Sequence, residues 1–257
     1  MVDRIKALVQ RIVVSNIRLY SFIRNSVYHL SILLPHDSAF YAFKKIGDGK
    51  EIFLDIGAND GISARSYRKM VSHRPIVSIE PNPHHEASLL KVRNSIANFT
   101  FHLIGAGDKN GTMVLYTPIY KGVAMTNYAS LDTDAARKNL DRHMNIRNIG
   151  SRVEFSKNEI SIRKLDELNL NPAIIKIDVE GFEDIVISGL LETIKKSRPM
   201  IMVEHNPRSF QAITTILTSL DYTVNAYDVT ADKFTDYSEL EPPLNVFFLP
   251  KNFKHKG

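Results

Sequence analysis

Apolar and polar positions change period several times along this 257-residue chain, and each change marks an element. Residues 51–56, 76–80, 99–104, 173–178 and 200–204 are short apolar runs, most of them rich in Ile and Val, ending in Gly, Pro, Asn or carboxylates. Runs of this length and composition are expected of strands buried on both faces of a parallel sheet. Helical spacing fills the intervals over residues 63–71, up to about 97, up to 196, and over 207–220. A short helical stretch at 38–46 precedes the first strand. Strict β–α alternation implies parallel strands joined by right-handed crossovers. Two late apolar runs, 222–227 and 244–249, have no helix between them and are spaced to pair as an antiparallel closing unit.

The alternation breaks over residues 117–150, where Pro118, Gly122 and Gly150 bracket a charged, helical piece around 134–145. The segment is too long for a routine connection. It reads either as a substrate-side insertion or as a solvent-exposed decoration. At the other end, Arg4, Arg11 and Arg18 recur every seven positions, while Ile5, Leu8, Val9, Ile12, Leu19, Tyr20 and Ile23 gather on the opposite side of a helical wheel. Charges interrupt every window long enough to cross a bilayer, so a spanning helix is not expected. No apolar core followed by a small-residue cleavage site marks a signal peptide. The basic amphipathic pattern over 1–34 suits an anionic membrane surface or a docking partner, and equally a helix packed on its own domain or in a homo-oligomer. The expected organisation is an N-terminal amphipathic helical extension over 1–49 and a catalytic domain over 50–257, in the cytoplasm or peripheral on the cytoplasmic membrane face.

The composition, 44% hydrophobic and 24% charged, suits one sizeable α/β domain plus an extension. Absence of cysteine excludes disulfides and thiolate-ligated zinc and is compatible with a reducing compartment. The net charge of +5 invites a nucleic-acid reading until it is located. Residues 1–50 hold eight of the 33 Lys/Arg and three of the 28 Asp/Glu, which leaves 25 of each sign in residues 51–257. A domain that reads a polyanion is expected to carry an excess of Lys and Arg, so nucleic acid is disfavoured as a partner.

The chemistry concentrates where the strands end. Asp55-Ile56-Gly57-Ala58-Asn59-Asp60-Gly61 lets the chain turn sharply and leaves room for a ligand beside the backbone. A dinucleotide fingerprint would need glycine at 57, 59 and 62, and the chain has Gly57, Asn59 and Ile62. Glu80, at the end of the next strand, is placed to bind both hydroxyls of a ribose. Asp55, Glu80, Asp178, Glu180 and Glu204 bring negative charge to one edge of the sheet. A pyrophosphate there would meet repulsion of about 1 kcal/mol per close pair at 4 Å even in a water-like dielectric. S-adenosylmethionine carries a sulfonium, an ammonium and a ribose without phosphate, so the electrostatics favour it over a dinucleotide.

These residues resemble a family. Asp55-Ile-Gly-Ala-Asn-Asp-Gly61, Glu80-Pro-Asn-Pro83 and Lys176-Ile-Asp-Val-Glu-Gly-Phe-Glu183 look like the FkbM-type S-adenosylmethionine-dependent methyltransferases, over about residues 51–204. The resemblance implies a class I methyltransferase fold, with a Rossmann-like, seven-stranded, mostly parallel sheet and helices on both faces. It also implies O-methylation, typically of a sugar or polyketide hydroxyl, and hence a role in glycan modification. Carried over, Asp55, Gly57, Asn59 and Gly61 would hold the amino-acid end of the donor and Glu80 its ribose, with Ala106 and Asp108 near the adenine. Asp178 and Glu180 would lie near the transferable methyl.

Transfer to an alcohol needs an aligned oxygen and a proton acceptor. Asp178, Glu180, Glu204 and His205 are the candidates by position. No complete ligand set for a metal is legible, although a divalent ion bridging Asp178 and Glu204 would acidify a hydroxyl. Lys176 either joins the site or pairs with a neighbouring carboxylate, and Glu183 either joins it or opens the following helix. Phe182 reads as core rather than a substrate platform, and His84 and His85 as helix-surface histidines. The leading expectation is an O-methyltransferase for a saccharide, glycan precursor or related hydroxylated metabolite. The alternatives are an RNA or protein methyltransferase and a non-catalytic donor-binding module.

Overall fold

A computed structural model describes residues 37–253 apart from 72, 144–147 and 239–241. The amphipathic pattern over 1–34 lies outside the described residues. The main sheet has eight strands rather than the expected seven, in the order β11-β10-β12-β9-β8-β1-β2-β3. Its parallel half consists of β1 (Ile52–Ile56), β2 (Ile76–Ile79), β3 (Phe99–His102), β8 (Pro172–Ile177) and β9 (Met200–Glu204). The expected late pair, β10 (Tyr222–Asp228) and β12 (Asn245–Pro250), is present and antiparallel, with β12 also antiparallel to β9. The eighth strand, β11 (Lys233–Asp236), lies at the edge beyond β10. Phe234 ties it in, with its ring 5.1 Å from Tyr227 and 5.3 Å from Phe247. One half-buried aromatic in four residues gives too little periodicity to announce a strand.

The strands are apolar on both faces because both are covered. Phe53, Ile76, Ile174, Met200 and Phe247 face one core, and Leu54, Val77, Ile175, Ile201 and Phe248 face the other. Helices α1 (Ile62–Met70) and α2 (Glu86–Ser95) supply the first core with Tyr67, Leu89 and Val92. The 3-10 stretch Ser38–Lys45 adds Phe40 and Phe43 to it. Val186, Ile194, Ile213 and Leu217, from α4 (Glu183–Ser188), α5 (Leu191–Ser197) and α6 (Phe210–Ser219), fill the second core. The remaining helix, α3 (Thr133–His143), falls where the charged helical piece was expected.

A second sheet, which the alternation does not announce, joins β4 (Gly105–Gly107), β7 (Glu154–Lys164), β5 (Gly111–Tyr120) and β6 (Val123–Ala124) in that order. The long antiparallel pairing of β5 with β7 runs from Gly111 opposite Ile162 to Ile119 opposite Glu154. Helix α3 closes one end over a small core of Tyr120, Met125, Leu140, Ile149 and Val153. The segment beyond Pro118 is therefore the end of a sheet with its own core. Among the described residues no helix is long and apolar enough to cross a membrane.

Candidate active site

Three polar residues lie side by side in the main sheet, at one level of three adjoining strands. Asp55 on β1 is in register with Ser78 on β2 and with Lys176 on β8. They occupy the face that carries Phe53, Ile76 and Ile174, because side chains alternate with a period of two. Asp55 is fully buried. Its Oδ2 accepts a hydrogen bond from Ser78 Oγ at 3.1 Å, and its Oδ1 lies 3.5 Å from Lys176 Nζ. The ammonium also lies 3.2 Å from Asp178 Oδ2 and donates to the carbonyl of Gly57 at 3.1 Å. Burial pushes the Asp55 carboxyl up, with Lys176 opposing. Burial pulls the Lys176 ammonium down, but Asp55 and Asp178 outweigh it and hold it above its ordinary value. Lys176 thus pairs with neighbouring carboxylates, one of its two sequence readings.

That arrangement fixes the turn after β1. Gly57 has φ +77°, and a Cβ there would lie 1.8 Å from the carbonyl oxygen of Asp178. Only glycine lets the ends of β1 and β8 approach so closely. Asn59 also takes the left-handed conformation, at φ +51°. Its amide N–H donates to Glu80 Oε2 at 2.8 Å, and Asn82 N–H donates to Glu80 Oε1 at 2.8 Å. Burial drives the Glu80 carboxyl up to about 7, against the pull of those two hydrogen bonds. Gly61, at φ +84°, begins α1, and a Cβ there would meet Val92 Cγ2 at 2.7 Å.

A cavity of about 740 Å³ opens over these strand ends, with one wall from the main sheet and one from the second sheet. Gly57, Asn59, Glu80, Ala106, Asp108, Asp178 and Glu180 all line it. The other predicted site residues do not. Asp55, expected at the amino-acid end of a donor, lies buried behind the wall, so its influence on a ligand runs through Lys176 and the Gly57 carbonyl. Gly61 shapes the turn. His205 packs its ring 4.8 Å from Phe210, with Nε2 3.2 Å from the Tyr237 hydroxyl, so it belongs to an aromatic cluster off the cavity.

Glu204 is not part of the wall but stands beside it. One oxygen each of Asp178, Glu180 and Glu204 lies within 4.8 Å of the others, the only such acidic or histidine grouping among the described residues. Burial, then the charge and hydrogen bond of Asp178, push the Glu204 carboxyl up to about 8. Glu180 (φ +54°) and Gly181 (φ +100°) turn the chain sharply after β8. Glu183 opens α4 and locks this turn from below: fully buried, it accepts from Gly181 N–H at 2.7 Å and from Ser209 Oγ at 2.6 Å.

Some lining residues were not expected from sequence. Asn127, in the 3-10 turn Thr126–Tyr128 of the second sheet, accepts from Asn59 Nδ2 at 3.2 Å. Asn82 is buried and donates to Thr117 Oγ1 at 3.3 Å, a second link between the sheets. His85 is only 3% exposed and lines the cavity, so it is not a surface histidine, whereas His84 is exposed and meets Ser156 Oγ at 3.2 Å. Phe182 is 41% exposed on the cavity rim and is not core. The signal for Asn82 is its place between two prolines directly after Glu80. Nothing local to residue 127 marks Asn127.

The family described as Methyltransferase FkbM domain matches residues 55–224, which span every predicted site residue. No curated protein matches the chain. Among solved structures it is similar to methyltransferase FkbM from Methylobacillus flagellatus, with 16% identity and a TM-score of 0.49 over 79% of this chain. The chain spans 44% of the length of that protein. It is also similar to an O-methyltransferase from Bacillus cereus solved in complex with SAH (14% identity, TM-score 0.36, 88% of each chain). A putative rRNA-methylase from Clostridium thermocellum is a third (9% identity, TM-score 0.42, 81% of this chain and 90% of that one).

Proposed function

This chain belongs to the FkbM methyltransferase family, whose methyl donor is S-adenosylmethionine, and from that premise we propose that it methylates a hydroxyl of a saccharide, glycan precursor or related metabolite. The observation that carries the reading is the wall of the cavity. Glu80, Asp178 and Glu180 line it together, and Lys176, behind them, is already engaged by two carboxylates. An acidic wall of this kind suits a cationic, phosphate-free ligand. The size of the cavity lies within the range of small-molecule and cofactor sites.

The donor supplies an electrophilic methyl group on a sulfonium. Glu80, fixed by the N–H groups of Asn59 and Asn82, retains acceptor capacity on both oxygens for the two hydroxyls of a ribose. Asp178, held by Lys176, and Glu180 face the place where an acceptor enters. The Asp178–Glu204 pair takes the hydroxyl proton as the oxygen attacks. A carboxyl pushed up to about 8 is a far stronger base than an ordinary one and is matched to neutral or slightly alkaline conditions. His205 stands off the cavity and serves the packing of Tyr237 and Phe210.

Transfer of labelled methyl groups from S-adenosylmethionine into fractionated extracts tests this reading, with Asp178→Ala as control. Label in a hydroxylated, non-nucleic fraction that disappears in the control is the expected result. Label in total RNA would support the nucleic-acid alternative, and tight donor binding without transfer to any fraction would support a docking module. The basic pattern over 1–34 supports peripheral contact with an anionic membrane on the cytoplasmic face. Reversing Arg4, Arg11 and Arg18 to Glu in the full chain is expected to abolish sedimentation with anionic vesicles, and unchanged sedimentation removes this part of the reading.

A further inference from the structure

We infer that the acceptor is an amphiphile whose apolar part rests on Met113, Phe182 and Ile185 while its hydroxyl faces Asp178 and Glu180; this rests on the hydroxyl-acceptor reading above. Among the described residues six large hydrophobic side chains are exposed, and three of them, Met113 (43%), Phe182 (41%) and Ile185 (38%), line the cavity described above. Met113 comes from β5 of the second sheet, Phe182 is the residue that caps α4, and Ile185 lies in its first turn.

The exposure of the last two is built into the backbone. Glu183 is anchored by Gly181 and Ser209, and Val186 and Ile187 are buried. Residues 182 and 185 therefore share the opposite, outward stripe of the first turn, by the i, i+3 relation.

Exposed apolar side chains lining a cavity that also carries carboxylates mark a ligand surface. One aromatic ring, one flexible thioether and one branched aliphatic side chain suit an alkyl or acyl chain better than the flat face of a sugar ring, which stacks on aromatics. Phe182 and Ile185 line the same cavity as Asp178 and Glu180, so an occupant of the seat brings its polar end to Asp178, the cavity-lining member of the Asp178–Glu204 pair that would receive the proton.

The chain contains no Trp, so Phe182→Trp installs a single Trp at the seat, to be excited selectively at about 295 nm. Titration with methyl, hexyl and octyl β-glucoside below their micellar concentrations, with the donor product S-adenosylhomocysteine saturating, tests the proposal. Emission should shift, with affinity rising about fourfold for each methylene fully buried. Val229→Trp, at an exposed apolar residue off the cavity, should show no such shift. With the native rim, Phe182→Ala and Ile185→Ser should each raise the KM for octyl glucoside, or weaken its binding, at least tenfold. Both should leave the Kd for S-adenosylmethionine, measured by calorimetry, within threefold. Affinity independent of chain length, an equal response at residue 229, or loss of donor affinity in Phe182→Ala would each overturn the seat. Failure to methylate any hydroxylated fraction, with the chain-length dependence intact, would instead overturn the reaction and leave the seat standing.

Discussion

Lys176 Nζ stands 3.5 Å from the buried carboxylate of Asp55, in register on the adjoining strand, and its other contacts reach Asp178 and the carbonyl of Gly57. One ammonium thus neutralises a charge that the sheet could not otherwise bury and fixes the positions of two loops on the cavity wall. The ion pair is buried at its Asp55 end and reaches the cavity wall at its Asp178 end.

Lys176→Met is expected to destabilise the protein by about 3–5 kcal/mol, because it leaves Asp55 buried with Ser78 as its hydrogen-bond partner and no compensating charge. Pairing it with Asp55→Asn should recover more than half of that loss. Urea denaturation of the single and double variants measures both effects. Donor affinity should fall in both, since the Gly57 carbonyl loses its donor in each.

Gly57→Ala combines two penalties. The left-handed conformation alone costs a non-glycine residue roughly 1–2 kcal/mol. The added methyl would also collide with the Asp178 carbonyl at 1.8 Å, which is backbone and cannot rotate away. The expected outcome is a stability loss of more than 2 kcal/mol on the same scale, with the ends of β1 and β8 forced apart and donor binding below detection by calorimetry.

Glu80 gives a signed dependence on pH. Burial raises its carboxyl in the folded protein to about 7, above its ordinary value of 4.5, so the folded state holds the proton more tightly than the unfolded one. Its contribution to stability is full below about 4.5 and is lost as pH rises through about 7. Between pH 4 and pH 8 the ligand-free wild type should therefore lose about 3 kcal/mol relative to Glu80→Gln. Denaturation of the two proteins across that range provides the difference. Ribose hydroxyls donate to the ionised carboxylate, so donor affinity should run the opposite way and weaken below about pH 7.

If the Asp178–Glu204 pair accepts the hydroxyl proton, kcat/KM should climb with pH and level off above about 8, the apparent value belonging to the pair. Glu204→Gln should lower the plateau by roughly 10²–10⁴ and flatten the rise. Dialysis against a chelator should leave activity within twofold. Loss of activity restored by Mg²⁺ would reassign Asp178, Glu180 and Glu204 as cation ligands.

The parallel half of the main sheet was legible strand by strand, to within two residues at each end, because a strand covered on both faces writes its burial into an apolar run. Asp55, Glu80 and Asp178 stood out because carboxylates ending such runs are costly unless a partner or ligand meets them. The pairing of the second sheet was not legible. Its strands β5 and β7 are half-exposed and mix polar with apolar residues, and they pair across more than thirty residues, so neither carries its partner in its own pattern.

What the sequence determined by itself was the β–α order, the sharp turn at Gly57 and the acidic character of the strand ends, all consequences of local backbone freedom and side-chain chemistry. Only the tertiary structure decided that Asp55 sits behind the wall and Glu80 on it, that His85 turns inward and His205 away, and that Phe182 faces the cavity. Burial belongs to neighbours as much as to a residue, and here those neighbours come from β8, from α6 and from the second sheet, which meet the strand ends only once the chain has folded.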